Sequence, residues 1–416
     1  MGGCCSCRTA TSSFVDYHHA HGKEDGEGDA ADHDIDIVLK ERAGARVLLQ
    51  GSSKHVSMFT KQGKKSVNQD AMTVWENFLG DKDMFFGAVF DGHGSSGHKV
   101  ARYIRDFLPA KLYLLLNKST YGDGKDADVL DMDMETTPDD DDDDDNDADH
   151  NPLFLSWKAR LTRCFKEMDQ QLEREKSIES YCSGSTTVCL LKKHEHLVIA
   201  NLGDSRAVLC TRDENDRLVS KQLTVDLKPS VSSEAERIKS CSGRVLAVYE
   251  EPNVFRVWMP HEDCPGLAMT RAFGDFCLKD FGVISTPQVT YRKLTDKDEF
   301  IVLATDGIWD ALSNNKVVKI VASARNRSMA AQLVVDKAVR AWRYRYPRAR
   351  VDDCSAVCFF FNRDTTPRHH PPILLKKSCS QAALNPDPQP HKMHVLGTRS
   401  HHALDTLFEL QNDSNP

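Results

Sequence analysis

The chain alternates between two kinds of hydrophobic spacing. Uninterrupted apolar runs fill residues 85–90, 300–304 and 356–361, the pattern of buried strands. Shorter β-branched or aliphatic runs at 186–191, 196–201 and 206–211 are separated by Lys/His or Gly-Asp-Ser turns and read as further strands. Helical spacing takes over at 96–117, through Val100, Ile104, Phe107, Leu108 and Leu112. It returns at 153–176, through Leu155, Ala159, Leu161, Cys164, Phe165, Met168 and Leu172. A short helix is predicted over 232–240 and two more over 314–325 and 328–346, the last starting at a Ser328 cap and stopping at Pro347. Many closely spaced strands favour an antiparallel β core with helices outside over an alternating βαβ sheet.

Polarity divides the chain. Residues 1–45 are Gly-, His- and Asp-rich after the first few positions and read as disordered. Residues 121–151 contain seven consecutive Asp and read as an exposed acidic insertion. Residues 363–416, rich in Pro, His and Ser, read as a disordered tail. Residues 46–362 remain as one folded domain. Between Gly122 and Asp149 there are 15 acidic residues and one Lys, a charge of −14, so the rest of the chain carries +6 within an overall −8. A mildly basic body does not suggest nucleic-acid binding, and it suits the attraction of phosphorylated surfaces. The 13 cysteines are scattered, and Cys189, Cys210 and Cys358 fall inside apolar runs, which points to reduced core thiols of a cytosolic chain. No run approaches the ~18 apolar residues of a membrane span, and the amino terminus lacks the apolar segment of a secretory signal.

Two of the buried runs end on Asp-Gly. Phe90 is followed by Asp91-Gly92-His93-Gly94, and Ala304-Thr305 by Asp306-Gly307; a third acidic pair, Asp352-Asp353, precedes the last run. Strands that release carboxylates at their ends bring acids from distant sequence to one point. Oxygen ligands completed by water are how hard divalent cations are held. A single Asp-Gly is as readily a hairpin turn, but three such sites favour the cation.

With these residues in order, the chain resembles the type 2C protein phosphatases, the metal-dependent Ser/Thr phosphatase family, and most of all its plant-type branch. The resemblance rests on Gly63-Lys64-Lys65-Ser66-Val67-Asn68-Gln69-Asp70, on Asp91-Gly92-His93-Gly94, on Ser183-Gly184-Ser185-Thr186-Thr187 and on Asn201-Leu202-Gly203-Asp204-Ser205-Arg206. It continues through Leu267-Ala268-Met269-Thr270-Arg271-Ala272-Phe273-Gly274-Asp275, Ala304-Thr305-Asp306-Gly307-Ile308-Trp309-Asp310 and Asp352-Asp353-Cys354-Ser355. It implies an α+β fold, an antiparallel β-sandwich flanked by helices on both faces, and a catalytic domain over 46–362. It also implies two Mg²⁺ or Mn²⁺ ions: one held by Asp91, Asp306 and Asp352, the other sharing Asp91 and taking the carbonyl of Gly92, with Asp70 reaching a bound water. Two cations that share a water lower its pKa toward ~7, and the hydroxide then attacks phosphoserine or phosphothreonine in line without a covalent intermediate. His93 is the candidate proton donor to the departing oxygen; an ordinary turn histidine is the rival reading.

Departures from the family pattern are local. The phosphate-binding position, usually Arg, is Lys65, a point charge without Arg's bidentate fork. Gln69 stands where many members have Glu, and Tyr181 where several supply Asp to a third, weaker metal, leaving Asp310 with fewer co-ligands there. The resulting expectation is a protein serine/threonine phosphatase whose partners are phosphorylated proteins. A binding protein that captures such partners is the rival, supported by Lys65 and Gln69 alone. At the amino end, Met1-Gly2-Gly3-Cys4-Cys5-Ser6 fits N-myristoylation of Gly2, with Cys4, Cys5 and Cys7 as palmitoylation sites. One acyl chain binds membranes marginally and two bind durably. The expected location is the cytoplasmic face of a membrane, the plasma membrane first, with cytosol or nucleus as the alternative, and the expected state is a monomer. The Asp run lacks the Gly and Glu spacing of a calcium-binding EF-hand and reads as a solvated loop.

Overall fold

The computed structural model describes residues 45–117, 151–249, 251–347 and 351–361. The amino-terminal anchor segment, nearly all of the acidic insertion and the carboxy-terminal tail expected from the sequence lie outside these residues. Two antiparallel sheets carry the fold. The first runs, edge to edge, through Arg46–Leu48, Asp70–Glu76, Met84–His93, Thr187–Lys193, His196–Leu202 and Gln288–Lys293, with the short pair Gly184–Ser185 and Phe273–Gly274 attached at one end. The second runs through Leu218–Gln222, Arg206–Arg212, Asp298–Ala304, Cys354–Phe360, Val56–Lys61 and Gly51–Ser52.

The strand period of two explains why the central strands read as continuous apolar runs, since both of their faces are buried. In Thr187–Lys193, Val188 and Leu190 enter the core between the sheets, while Cys189 and Leu191 face the outer layer. In Asp298–Ala304, Ile301 and Leu303 point inward and Phe300, Val302 and Ala304 outward. Phe85 of the first sheet meets Phe359 of the second edge-on, with ring centroids 5.1 Å apart. Burying such a side chain is worth about 1.5–3 kcal/mol.

Two helices, Gly97–Asn117 and Pro152–Arg174, cover the outer face of the first sheet through Val100, Ile104, Leu108, Leu161, Phe165 and Met168. Two more, Asn314–Ala322 and Ala330–Arg345, cover the second through Val317, Val321, Val334, Val335 and Ala338. The order of layers is therefore helix, sheet, sheet, helix, as the resemblance implies.

Several expectations need correction. Asn151, assigned to the insertion, is the cap of Pro152–Arg174, its side chain accepting from Leu153 N at 3.0 Å. Ser328 does not cap the following helix. It lies in the single turn Arg327–Met329, and the helix's Ala331 N donates instead to Ser57 Oγ, at 3.1 Å from the neighbouring sheet. A third sheet, Arg244–Val248, Glu251–Trp258 and Pro265–Leu267, was not foreseen. Only Val257 of its central strand is buried, so no alternation marked it in the sequence. Among the described residues no disulfide joins two cysteines, and no helix is long and apolar enough to cross a membrane.

Candidate metal centre

The acids that end the strands gather where the two sheets meet. Asp70 and Asp91 are register partners on adjacent strands of the first sheet, directly opposite one another. Asp306 opens the one-turn helix Asp306–Trp309 after Asp298–Ala304, and Asp352 precedes Cys354–Phe360; those two strands pair in the second sheet. Glycine makes the approach possible. A Cβ at Gly307 would lie 1.9 Å from the carbonyl oxygen of Asp353, and one at Gly92 would lie 2.3 Å from that of Gly97.

The electrostatics follow from this crowding. Asp70 is buried, and burial with its acidic neighbours, Asp353 first, outweighs hydrogen bonds from Ser355 and Thr305 to push its carboxyl up to about 7. Burial, then Asp70 and Asp352, holds the Asp91 carboxyl well above the usual range despite Lys65. Burial, then Asp91, Asp204 and Asp352, does the same for Asp306. Asp310, at the rim, is raised by burial and by Asp204 and Asp352, against the pull of Lys228. Asp70 Oδ2 accepts from Thr305 Oγ1 at 2.9 Å, while its Oδ1 is enclosed with no partner. Repelling carboxylates around an unsatisfied oxygen fit a site for hard cations. No three His, Cys, Asp or Glu side chains among the described residues are grouped so as to hold a metal ion by themselves.

Each expected site residue among the described residues has a definite place. Lys65 Nζ lies 2.7 Å from Asp352 Oδ1 and 3.8 Å from Asp353 Oδ2. Burial alone lowers its pKa, but Asp352 and Asp91 outweigh that and raise it. The loop that carries Lys65 hangs on Asp353, whose carboxylate accepts from Gly63 N at 2.7 Å and Gln69 N at 2.9 Å. The Gln69 side-chain amide donates to the Gly94 carbonyl at 2.7 Å. Tyr181 is largely exposed, and its backbone carbonyl accepts from Cys277 N. Gly2, Cys4 and Cys5 lie outside the described residues.

Three residues of this centre were not singled out from the sequence. Asp275, 1% exposed and in the left-handed region at φ 52°, places Oδ2 2.6 Å from His93 Nε2. That leaves His93 Nδ1 enclosed and without a partner. Thr305 links Asp70 to the strand of Ser355, whose N donates to Thr305 Oγ1 at 3.1 Å. Asp204 is buried, with Oδ2 3.3 Å from Lys228 Nζ and Oδ1 unpartnered. Its Gly-Asp-Ser turn was visible, but nothing in the sequence said that the turn faces the other acids.

The Protein phosphatase 2C family model matches residues 54–342. The chain belongs to this family. The match stops short of Asp352, which leads into the strand Cys354–Phe360 of the second sheet. An Arabidopsis thaliana relative described as "Probable protein phosphatase 2C 65" is 47% identical, covering 88% of this chain and 90% of its own. A rice relative, "Probable protein phosphatase 2C 75", is 49% identical over 78% of this chain and 76% of its own. The family member here is thus of the plant type and is a protein serine/threonine phosphatase. Among solved structures, a serine-threonine phosphatase 2C from Toxoplasma gondii aligns with TM-score 0.64 at 23% identity, covering 76% of this chain and 99% of that one. It shares the fold described above.

Proposed function

We propose that this phosphatase hydrolyses phosphoserine and phosphothreonine with two Mg²⁺ or Mn²⁺ ions, held by Asp91, Asp306, Asp352 and the Gly92 carbonyl. The observation that carries the reading is the gathering of Asp70, Asp91, Asp306 and Asp352 at neighbouring strand ends around the partnerless Asp70 Oδ1. When bound, the ions would supply the Lewis acidity that activates a water for in-line attack and offsets charge on the phosphoryl oxygens.

The chain's own residues do the rest. Asp70 Oδ1 orients a water beside Asp91. Lys65 leaves Asp352 to hold the phosphoryl group. His93, whose ring Asp275 holds at Nε2, gives a proton to the departing Ser or Thr oxygen. Asp310, beside Asp204, marks a third and weaker ion position. Substrates are phosphorylated proteins met at a membrane, to which acyl chains on Gly2, Cys4 and Cys5 tether a monomeric enzyme.

Turnover of a phosphothreonine peptide tests the reading. Activity is expected with millimolar Mn²⁺ or Mg²⁺ and none with EDTA, and Asp91→Ala and Asp352→Asn each lower kcat at least ~10²-fold. Full activity after exhaustive chelation removes metal from the reaction.

A further inference from the structure

We propose that Cys182 and Cys277 are a site of reversible oxidation, closing into a disulfide beside the His93–Asp275 contact when the protein meets hydrogen peroxide. The two segments that carry them run side by side. Cys277 N donates to the Tyr181 carbonyl at 2.9 Å, and Asp275 N to the Ser183 carbonyl at 3.0 Å. Beside those backbone bonds, Cys182 packs against the apolar cluster that contains Cys277. Cys182 is half-buried, so an oxidant can reach it, and Cys277 is 4% exposed beneath it. Cys164, Cys189, Cys210, Cys354 and Cys358 are all buried in the layers of the sandwich, without such an exposed neighbour in contact. A cytosolic disulfide is characteristically transient and redox-responsive rather than structural.

The chemistry balances with peroxide as the only co-reactant. The Cys182 thiolate attacks one peroxide oxygen, the O–O bond breaks, and hydroxide leaves, taking up the thiol proton as water. The resulting sulfenic acid is attacked at sulfur by the Cys277 thiolate, which displaces the second oxygen as water. Two thiols lose two electrons, and one peroxide becomes two waters. Burial raises both thiols above the ordinary cysteine range, so both attacks draw on a small thiolate fraction and the second is helped by the adjacency of the two segments.

Closure disturbs the neighbouring contact because there is no slack. An S–S bond of ~2.05 Å is shorter than any contact between free thiols, so closing it pulls 181–183 against 275–277. Gly184 already lies so close beneath the contact that a Cβ there would stand 2.3 Å from Asp275 Oδ2 and 2.7 Å from His93 Nε2. The strain falls on Asp275. The cross-link itself does not depend on the metal reading; its effect on turnover rests on the role given to His93.

The test treats the full chain with peroxide, blocks free thiols, digests with trypsin and identifies cross-linked peptides by mass. The expected product joins residues 177–192 to 272–279, with fragmentation assigning Cys182 rather than Cys189. The same sample should lose at least about tenfold in phosphoserine turnover and recover with dithiothreitol, while Cys182→Ser and Cys182→Ala lose both the cross-link and the reversible inhibition. No such peptide, or Cys182 joined to Cys264 instead, overturns the pair. A cross-linked protein with full activity, or equal reversible inhibition of the Cys182 variants, overturns the connection to His93.

Discussion

Replacing Asp275 by Asn isolates what the carboxylate does for His93. The side chain is nearly isosteric, and the surrounding backbone bonds from Asp275 N to Ser183 O and from Leu278 N to Asp275 O stay in place. What changes is the partner of Nε2, from an anion at 2.6 Å to a neutral amide. A hydrogen bond to a charged group is worth ~1.5–3 kcal/mol and a neutral one ~0.5–1.5. The loss of ~1–1.5 kcal/mol in holding the ring corresponds to about tenfold in rate at ~1.36 kcal/mol per decade. Asp275→Ala removes the bond entirely and should cost about 10–100-fold on the same scale. The assay compares kcat on a phosphoserine peptide, whose alkoxide needs a proton to leave, with kcat on p-nitrophenyl phosphate, whose nitrophenolate departs without one. The peptide should show the loss and the aryl ester only a small fraction of it. A His93→Asn background completes the cycle: if Asp275 acts through His93, Asp275→Asn should cost almost nothing further there. Equal losses on both substrates, or full additivity with His93→Asn, would refute the argument.

Three further outcomes are expected. In EDTA, Asp70, with its folded pKa raised from 3.8 to about 7, binds its proton more tightly folded than unfolded, so stability should fall as pH rises from about 4 through 7. Thermal melts across that range should show the slope in wild type and a flatter profile in Asp70→Asn. Glu234 is the opposite case. Burial would raise its pKa, but hydrogen bonds from Arg237 and Arg271 outweigh it and hold the carboxyl at about 2, against 4.5 unfolded. Its contribution, about 3 kcal/mol on the linkage scale, should be present above pH ~4.5 and fade toward pH 2. Denaturant titrations should find Glu234→Gln less stable at pH 7 by an amount that shrinks as the solution is acidified. At the amino end, Gly2→Ala should move the protein from membrane to soluble fractions, and joint replacement of Cys4, Cys5 and Cys7 should leave only transient binding; a Gly2→Ala protein that stays on membranes removes the anchor.

The sequence announces those parts of the site in which a residue's role follows from its own strand. Asp91 and Asp306 each close an apolar run, so their place at strand ends could be read directly. Asp275 could not, because its partner is 182 positions away and its left-handed conformation appears only once Phe273–Gly274 has paired with Gly184–Ser185. The pair Asp352-Asp353 shows a second limit. Adjacent residues entering a strand point to opposite sides, so one acid meets Lys65 while the other clamps the 63–69 loop, and composition does not say which. Ser57 shows a third: a helix start was legible at about the right place, but its capping oxygen came from the sheet beneath rather than from Ser328. The exposed third sheet left no hydrophobic period to read.

The seam between the sheets has a consequence for how the enzyme's appetite for metal varies. Asp70 and Asp91 ride on one sheet and Asp306 and Asp352 on the other, so their separation is a property of sheet spacing. That spacing is set by Ile301, Leu303, Val89, Val357 and Phe359, none of which has a polar side chain. Trimming one of them, as in Ile301→Val, costs about 0.5–1.5 kcal/mol in packing and lets the two halves of the acid cluster settle at a new distance. Ion affinity can then drift between relatives whose site residues are identical letter for letter. Comparison of active-site residues alone will miss this, and the dial to turn in engineering metal preference is the greasy interior behind the carboxylates.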